Sequence, residues 1–470
     1  MRKLFLLAAF VTCRVTINAQ SLHQKLQVAV KQLEGDEQMK HAILGLYVVN
    51  SKTNEVVYNV NGATGLAAAS TQKIFTSIAS LDLLGSTYTY KTDVGYDGAI
   101  KGDTLTGNLI IVGHGDPSFG SWRYNHTKMD TILQQLVLAV HATGINTIKG
   151  NIVLDETKFS YQPVPGGWIW EDIGNYYGAG VWGINWHENQ YDLTLKPGDK
   201  AGGGTEIISA EPSPEIFAMN NLIKTGPAGS GDNGYIYMAP YSADGFTEGT
   251  VPAGEKSFTI SGSLPYPSAT LGKEILEALK IEGITATGDV IWGAQLSLEK
   301  KPAPVITHAL YTYTSPPLDS LIYWFLQKSI NLYGEAFAKT IAYEKTGFGS
   351  TDKGVDIIRG YWKERSIEKT AVKMMDGSGL SPQNRVTANA EVQALQYAKA
   401  QPWFKTFYNA LPVYNGMKMK SGTIGGAKAF AGYQKAADGN EYTFSIIINN
   451  YDGSADSIVH KMFTLLDVLK

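Results

Sequence analysis

Ser70-Thr71-Gln72-Lys73 sets a hydroxyl three residues ahead of an amine, at the mouth of a mainly apolar run from Ile74 to Leu81. Residues three apart share one face of a helix, so the two groups can meet. Apolar neighbours on both sides (Leu66 to Ala69, then Ile74 and Phe75) would strip water from the lysine, lower its pKa and let it act as a base toward the serine. The N–H groups of a helix start could stabilise an oxyanion forming beside that serine. Taken alone, the four residues fit a helix cap with an exposed lysine more often than a catalytic pair. The same spacing recurs at Ser297–Lys300, Ser350–Lys353 and Ser366–Lys369. Those three enclose an acidic residue and read as solvated surface; only Ser70 sits in an apolar setting.

Two further groups change the balance. Ser329-Ile330-Asn331, within a helically periodic stretch from Leu321 to Ala342, offers a second hydroxyl to relay a proton and an amide to orient a base and a carbonyl. A polar turn between helices is an equally good reading of that tripeptide alone. Lys420-Ser421-Gly422-Thr423 opens a C-terminal hairpin signal. A lysine flanked by hydroxyls suits a carboxylate, and Gly422 would let a substrate backbone approach closely. Two other K-T-G triplets, at Lys224 and Lys345, read as loops. The eight histidines include no ligand-spaced pair, so no metal site is expected and His114 and His187 are assigned structural roles. Gly113-His114-Gly115 lacks the following helix of a dinucleotide loop. No cofactor is expected.

The order S-x-x-K, S-x-N, K-[ST]-G resembles the signature of penicillin-binding proteins and class A β-lactamases. More than half of the chain lies between Ser70 and Ser329, too much for a compact β-lactamase. That insertion is similar to the low-molecular-mass class C penicillin-binding proteins, the D-alanyl-D-alanine carboxypeptidase/endopeptidase family. Gly113–Gly120, Gly167–Gly180, Ser315–Leu318, Asn331–Glu335 and Asp376–Ser381 resemble that family too. The resemblance implies that Ser70 attacks a D-Ala-D-Ala carbonyl of a peptidoglycan stem peptide, with Lys73 as base, and that water then releases the acyl group. Ser329 would pass a proton to the leaving amine, Asn331 would hold substrate, and Lys420 with Thr423 would bind the terminal carboxylate. The Ser70 and Thr423 N–H groups would form the oxyanion hole. Glu171 or Asp172 would meet the amino side chain of the stem peptide, although an acidic pair on a solvated loop fits as well. β-Lactams would acylate the same serine. An esterase, a D-aminopeptidase or a β-lactamase on this core, or a non-catalytic wall-binding scaffold, are the rival functions. The choice between carboxypeptidase and endopeptidase, the oligomeric state and the physiological partners stay open.

The elements that must position these groups are legible at both ends. Ser21 caps an amphipathic helix (Leu22, Leu26, Val30, Leu33). Ala42–Val49 and Glu55–Val60 form a hairpin, and a helix runs from about Ser70 to Leu84 before Gly85. Lys418–Ile424, Ala427–Gln434 and Tyr442–Ile448 read as three strands joined by tight turns, and Ser457–Leu469 as a closing helix. Two early strands and three late ones predict an α+β fold: a five-stranded antiparallel sheet flanked by helices, as in the DD-peptidase/β-lactamase core. The expected catalytic domain spans 20–90 and 305–470. Residues 91–304, rich in Gly and Tyr with short β-like runs, predict a large insertion of one or two β-rich domains.

Met1-Arg2-Lys3, the apolar stretch Leu4 to Val11 and the small residue Ala19 predict a signal peptide over 1–19 and a periplasmic mature protein. Cys13, the only cysteine, follows residues unsuited to a lipid-anchor site, so no anchor is expected there. Loss of Arg2, Lys3 and Arg14 with the leader would take the formal charge from −3 to −6, which argues against nucleic acid as a partner.

Overall fold

The computed structural model describes residues 20–214 and 218–470; the expected leader and Cys13 lie outside them. The strands β1 (Ile43–Asn50), β2 (Val56–Val60), β3 (Val413–Tyr414), β4 (Met417–Ile424), β5 (Ala427–Lys435) and β6 (Glu441–Asn449) form one sheet in the order β2-β1-β6-β5-β4-β3. Every pairing in it is antiparallel. The sheet therefore has six strands rather than the expected five. The addition is the two-residue β3, which covers only the first residues of β4 and leaves the Ser421–Ile424 edge open.

The helices that matter here are α1 (Leu22–Glu34), α2 (Lys73–Leu83), α3 (Leu318–Gln327), α4 (Asn331–Thr346), α5 (Ala388–Lys399) and α6 (Ala455–Leu466). Both faces of the sheet are covered, which is why its strands are apolar nearly throughout. On one face Leu44, Leu46, Val48, Met419, Phe444 and Ile446 pack against Leu26, Val30 and Leu33 of α1 and Ile458, Met462 and Leu465 of α6. Each such side chain is worth about 1.5–3 kcal/mol when fully buried. Ser21 caps α1 through a reciprocal bond with Gln24, as its sequence predicts. On the other face Ala429, Ala431, Tyr433 and Ile447 meet α2, α3, α4 and α5.

The helical periodicity from Leu321 to Ala342 does not make one helix. The chain breaks over Lys328–Ile330, with Ser329 at φ 57°, and α4 restarts at Asn331. Residues 91–304 hold many short strands and, beyond the β-rich expectation, helices as well. They include the helices Met129–His141 and Pro267–Ile281, packed on a five-stranded sheet in which Leu109–Gly113, Ile152–Asp155 and Val290–Trp292 run parallel. A second apolar core gathers Tyr191, Leu193, Leu195, Ile236, Val251 and Ile260 from other sheets. Lys224-Thr225-Gly226, expected in a loop, is a short strand there. Where the chain enters and leaves this region, Tyr90 N donates to Ser315 Oγ at 2.9 Å and Ser315 N to Tyr90 O at 3.1 Å. Among the described residues no helix is long and apolar enough to cross a membrane.

Candidate active site

Ser70 lies on a tight 3-10 turn, Ala69–Gln72, that runs straight into α2. The turn is under constraint: Ala69 adopts φ 49°, a left-handed conformation that costs a non-glycine residue energy. Two glycines make room for it. A Cβ on Gly422 of β4 would strike the Ala68 carbonyl oxygen and lie 3.0 Å from Ser70 N. A Cβ on Gly379, itself at φ 87°, would strike the Ala69 carbonyl oxygen. The serine turn is thus clamped between the edge strand and the Asp376–Ser381 turn, with backbone on both sides.

Lys73 is fully buried and its Nζ has three oxygen partners: Ser70 Oγ at 3.0 Å, Asn331 Oδ1 at 2.6 Å and the Ser378 carbonyl at 2.7 Å. Two of these can only accept. A neutral amine has two protons and one lone pair; the protons go to Asn331 and Ser378, and the lone pair is left for the Ser70 hydroxyl proton. Burial pushes the Lys73 amine down from 10.5 to about 7, against the upward pull of Asp376 and Glu335. Asn331 Nδ2 donates to the Tyr177 carbonyl at 2.8 Å, which fixes the amide with its oxygen toward Lys73.

Asp376 organises the turn that supplies the Ser378 carbonyl. Its Oδ1 accepts from Gln72 Nε2, Gly379 N and Asn384 Nδ2, and its Oδ2 from Trp168 Nε1 and Ser381 N, all at 2.6–3.0 Å. Five donors on one carboxylate hold the anion rigidly in place. Glu335 lies beside it, with Oε2 accepting from Gly377 N at 3.0 Å; burial and Asp376 push its carboxyl up to about 8. Deeper on α4, the buried Lys339 donates to the Gln162 and Val181 carbonyls at 2.9 and 2.7 Å, tying the long insertion to the helix that starts with Asn331.

Ser70, Ser329, Asn331 and Thr423 share the wall of one cleft of about 1000 Å³ with Glu171 and Asp172. Ser329 stands at the helix break, two residues before Asn331, the first residue of α4. Burial, then the Glu171 charge, pushes Asp172 up to about 6. Lys420, Ser421 and Gly422 are not part of this wall. The Lys420 ammonium is 1% exposed and donates to the Ser421 carbonyl at 2.8 Å. Burial, and then Lys73 and Lys428, push it well below the ordinary lysine range. His114 is held between Tyr343 and Asp93, at 3.1 Å from each, and His187 binds the Gln190 carbonyl at 2.9 Å.

Several functional groups were not visible beforehand. The Ser378 and Tyr177 carbonyls are backbone atoms and carry no sequence signal. Arg123 also lines the cleft, gripped by Glu188 through Nε at 2.6 Å and Nη2 at 2.9 Å, while Glu188 accepts from Ser121 and Tyr333. Lys428 Nζ donates to Thr423 Oγ1 at 2.6 Å; the Gly425-Gly426 turn between their strands was the clue that could have paired them.

The profile of the family described as D-Ala-D-Ala carboxypeptidase 3 (S13) matches residues 26–416. A D-alanyl-D-alanine carboxypeptidase of Actinomadura sp. (strain R39) is 28% identical over 455 residues, covering 89% of this chain and 80% of that one. The crystal structure of penicillin binding protein 4 from Haemophilus influenzae superposes with a TM-score of 0.78 at 22% identity, over 93% of this chain and 98% of the other. The same protein in complex with a β-lactam gives 0.73 at 21% identity, over 94% and 98%. With a serine and a desolvated lysine in contact at one cleft, these likenesses have a plain meaning: the chain belongs to the D-Ala-D-Ala carboxypeptidase 3 (S13) family and is a serine D-alanyl-D-alanine carboxypeptidase.

Proposed function

We propose that Ser70 is the nucleophile and that the substrate is the D-Ala-D-Ala end of a peptidoglycan stem peptide. The observation that carries this is the bonding of Lys73: two obligate acceptors take its protons and orient its lone pair on Ser70 Oγ. Ser70 Oγ loses its proton to Lys73 Nζ and bonds to the penultimate D-alanine carbonyl carbon. The oxyanion falls to the N–H groups of Ser70 and Thr423, a role supported by the close approach of β4 to Ser70 N. Collapse breaks the peptide bond, the proton reaches the leaving amine by way of Ser329, and D-alanine departs. Water then attacks the ester, and Ser70 is restored. Asn331 holds the base and the substrate. Lys420 is buried and does not line the cleft wall where the carboxylate arrives; Ser421, Gly422 and Thr423 form the strand edge along which the substrate lies.

Glu171 and Asp172, in the wall of the same cleft, receive the amino side chain of the stem peptide. β-Lactams acylate Ser70, in keeping with the β-lactam complex of the Haemophilus protein. Residues 1–19 direct export to the periplasm. The catalytic domain takes 20–90 and the C-terminal part of the chain, with the insertion between them. The Tyr90–Ser315 pair, with His308–Thr314 paired to Lys91–Tyr96, favours a second crossing near residue 315.

Fluorescent penicillin on wild type and Ser70→Ala tests the reading: a stable covalent label is expected on wild type alone. An unlabelled wild type would remove the nucleophile, and rapid release of hydrolysed drug would point to a β-lactamase. Defined muropeptides read by mass then separate loss of terminal D-alanine from scission of cross-linked dimers.

A further inference from the structure

A carboxypeptidase needs a cation for the free carboxylate of its substrate, and the lysine of the third motif does not reach the cleft. Lys420 is 1% exposed, and its ammonium is committed to the Ser421 carbonyl. Arg123, in the wall, has two of its nitrogens on Glu188. Thr423, by contrast, lines the cleft with an exposed side chain. In the β4–β5 register it stands directly opposite Lys428, so the two side chains share a face, and Lys428 Nζ donates to Thr423 Oγ1 at 2.6 Å.

We infer that Lys428 is a positioning residue that gives the Thr423 hydroxyl its affinity for the substrate's terminal carboxylate. A threonine hydroxyl has one proton and two acceptor sites. With the ammonium occupying an acceptor site, the single proton is free to point at a carboxylate, and the donated bond polarises it. The ammonium itself adds a positive field at the cleft wall, only partly screened by solvent, since the side chain is half-buried over the Phe430 ring at 5.3 Å. Asp456, in the first turn of α6, supports its charge, whereas burial works against it. Lys73 and Lys428 both lower the Lys420 amine, which places the Lys428 charge close to the third motif.

This inference rests on Thr423 as the carboxylate-binding residue, and its test separates the two. Peptides ending in D-Ala-D-Ala are compared with the same peptides carrying a C-terminal amide. Wild type should prefer the acid. Lys428→Met should lower kcat/KM for the acid about ten- to a hundredfold, the range for a charge-assisted hydrogen bond. The loss should fall mainly in KM, leave the amide unchanged, and be largely restored in Lys428→Arg. In a Thr423→Val background, Lys428→Met should add little. Equal losses on both substrates in Lys428→Met and Lys428→Arg alike would overturn the assignment to Lys428, as would an acid preference that persists in Lys428→Met and disappears on Lys328→Met, a change at a lysine that lines the cleft wall. Failure of wild type to release D-alanine at all would instead overturn the substrate reading.

Discussion

If the Lys73 amine is the base, acylation must follow its protonation. The ordinary lysine value of 10.5 is lowered to about 7 because the ammonium is buried without an adjacent counter-ion in contact. That drop corresponds to about 5 kcal/mol of differential interaction between the two protonation states. Its sign favours the neutral amine in the fold: the cost of holding the cation is absent above 10.5, grows as pH falls toward 7, and is constant below. The second-order rate of penicillin acylation should therefore be flat above roughly pH 8 and fall about tenfold per pH step below 7, reaching about 1% of its plateau near pH 5. Stopped-flow fluorescence with a penicillin that carries no group titrating between pH 5 and 9 reads this directly. Lys73→Arg, which cannot lose its proton in this range, should lose the plateau. A rate that is level from pH 5 to 9, or one still rising in proportion to hydroxide at pH 9, would refute the lone-pair geometry drawn from the three Lys73 contacts. Glu335→Gln should move the profile toward lower pH, since Glu335 is one of the two groups that hold the Lys73 amine up against burial.

Four other outcomes follow from the same structure. Gly422→Ala should cut acylation about a hundredfold, the scale for displacing a reacting group by about 1 Å. Its Cβ would drive β4 away from Ala68 and Ser70, and the effect can be read with the same acylation assay. Asp376→Asn places an amide N–H₂ against donors it cannot accept from, freeing the turn that carries the Ser378 carbonyl. Acylation should fall by at least about tenfold while the protein still folds, as checked by circular dichroism. Asp172→Asn with Glu171→Gln should reduce kcat/KM about tenfold for stem peptides bearing a free side-chain amine, and not for the N-acetylated ones. Glu156, buried away from the cleft and pushed up to about 8 chiefly by burial, contributes stability below its unfolded value of 4.5 that is lost as pH rises through 8. Urea unfolding of Glu156→Gln should thus match wild type near pH 4, gain on it as pH rises from 4.5 to 8, and exceed it at pH 9 by on the order of a few kcal/mol.

The chemistry was readable where it resides in side chains whose setting is local. The buried run around Ser70 and Lys73 separated that motif from its three surface copies, because desolvation is a property of neighbours in sequence. The hairpin β1–β2 and the three strands β4–β6 were legible for a similar reason: tight polar turns bracket short apolar runs, and those runs pair in sequence order. Parallel pairing among Leu109–Gly113, Ile152–Asp155 and Val290–Trp292 has no such signature, since strands far apart in the chain meet by way of helices. The Gly and Tyr content of residues 91–304 also masked two amphipathic helices, Met129–His141 and Pro267–Ile281. The break at Ser329 was invisible for a subtler reason. Leu321, Ile322, Phe325 and Leu326 keep helical spacing before it, and Leu332, Tyr333, Ala336 and Phe337 keep it after, with no glycine or proline to mark the join.

The third motif shows where such legibility ends. A lysine followed by hydroxyl-bearing residues invites the carboxylate role, yet strand alternation sends the Lys420 side chain to the same face as Gly422, which is pressed against the serine turn, and Thr423 to the other. Burial of Lys420 is therefore a consequence of the closeness that the nucleophile requires. What reaches the cleft from this strand is a hydroxyl, and the nearest charge to it belongs to the neighbouring strand. The Gly425-Gly426 turn sets that register: Ile424 opposite Ala427 forces Thr423 opposite Lys428. A substrate anion is thus met by a cation that no linear motif contains, placed by the turn rather than by the signature.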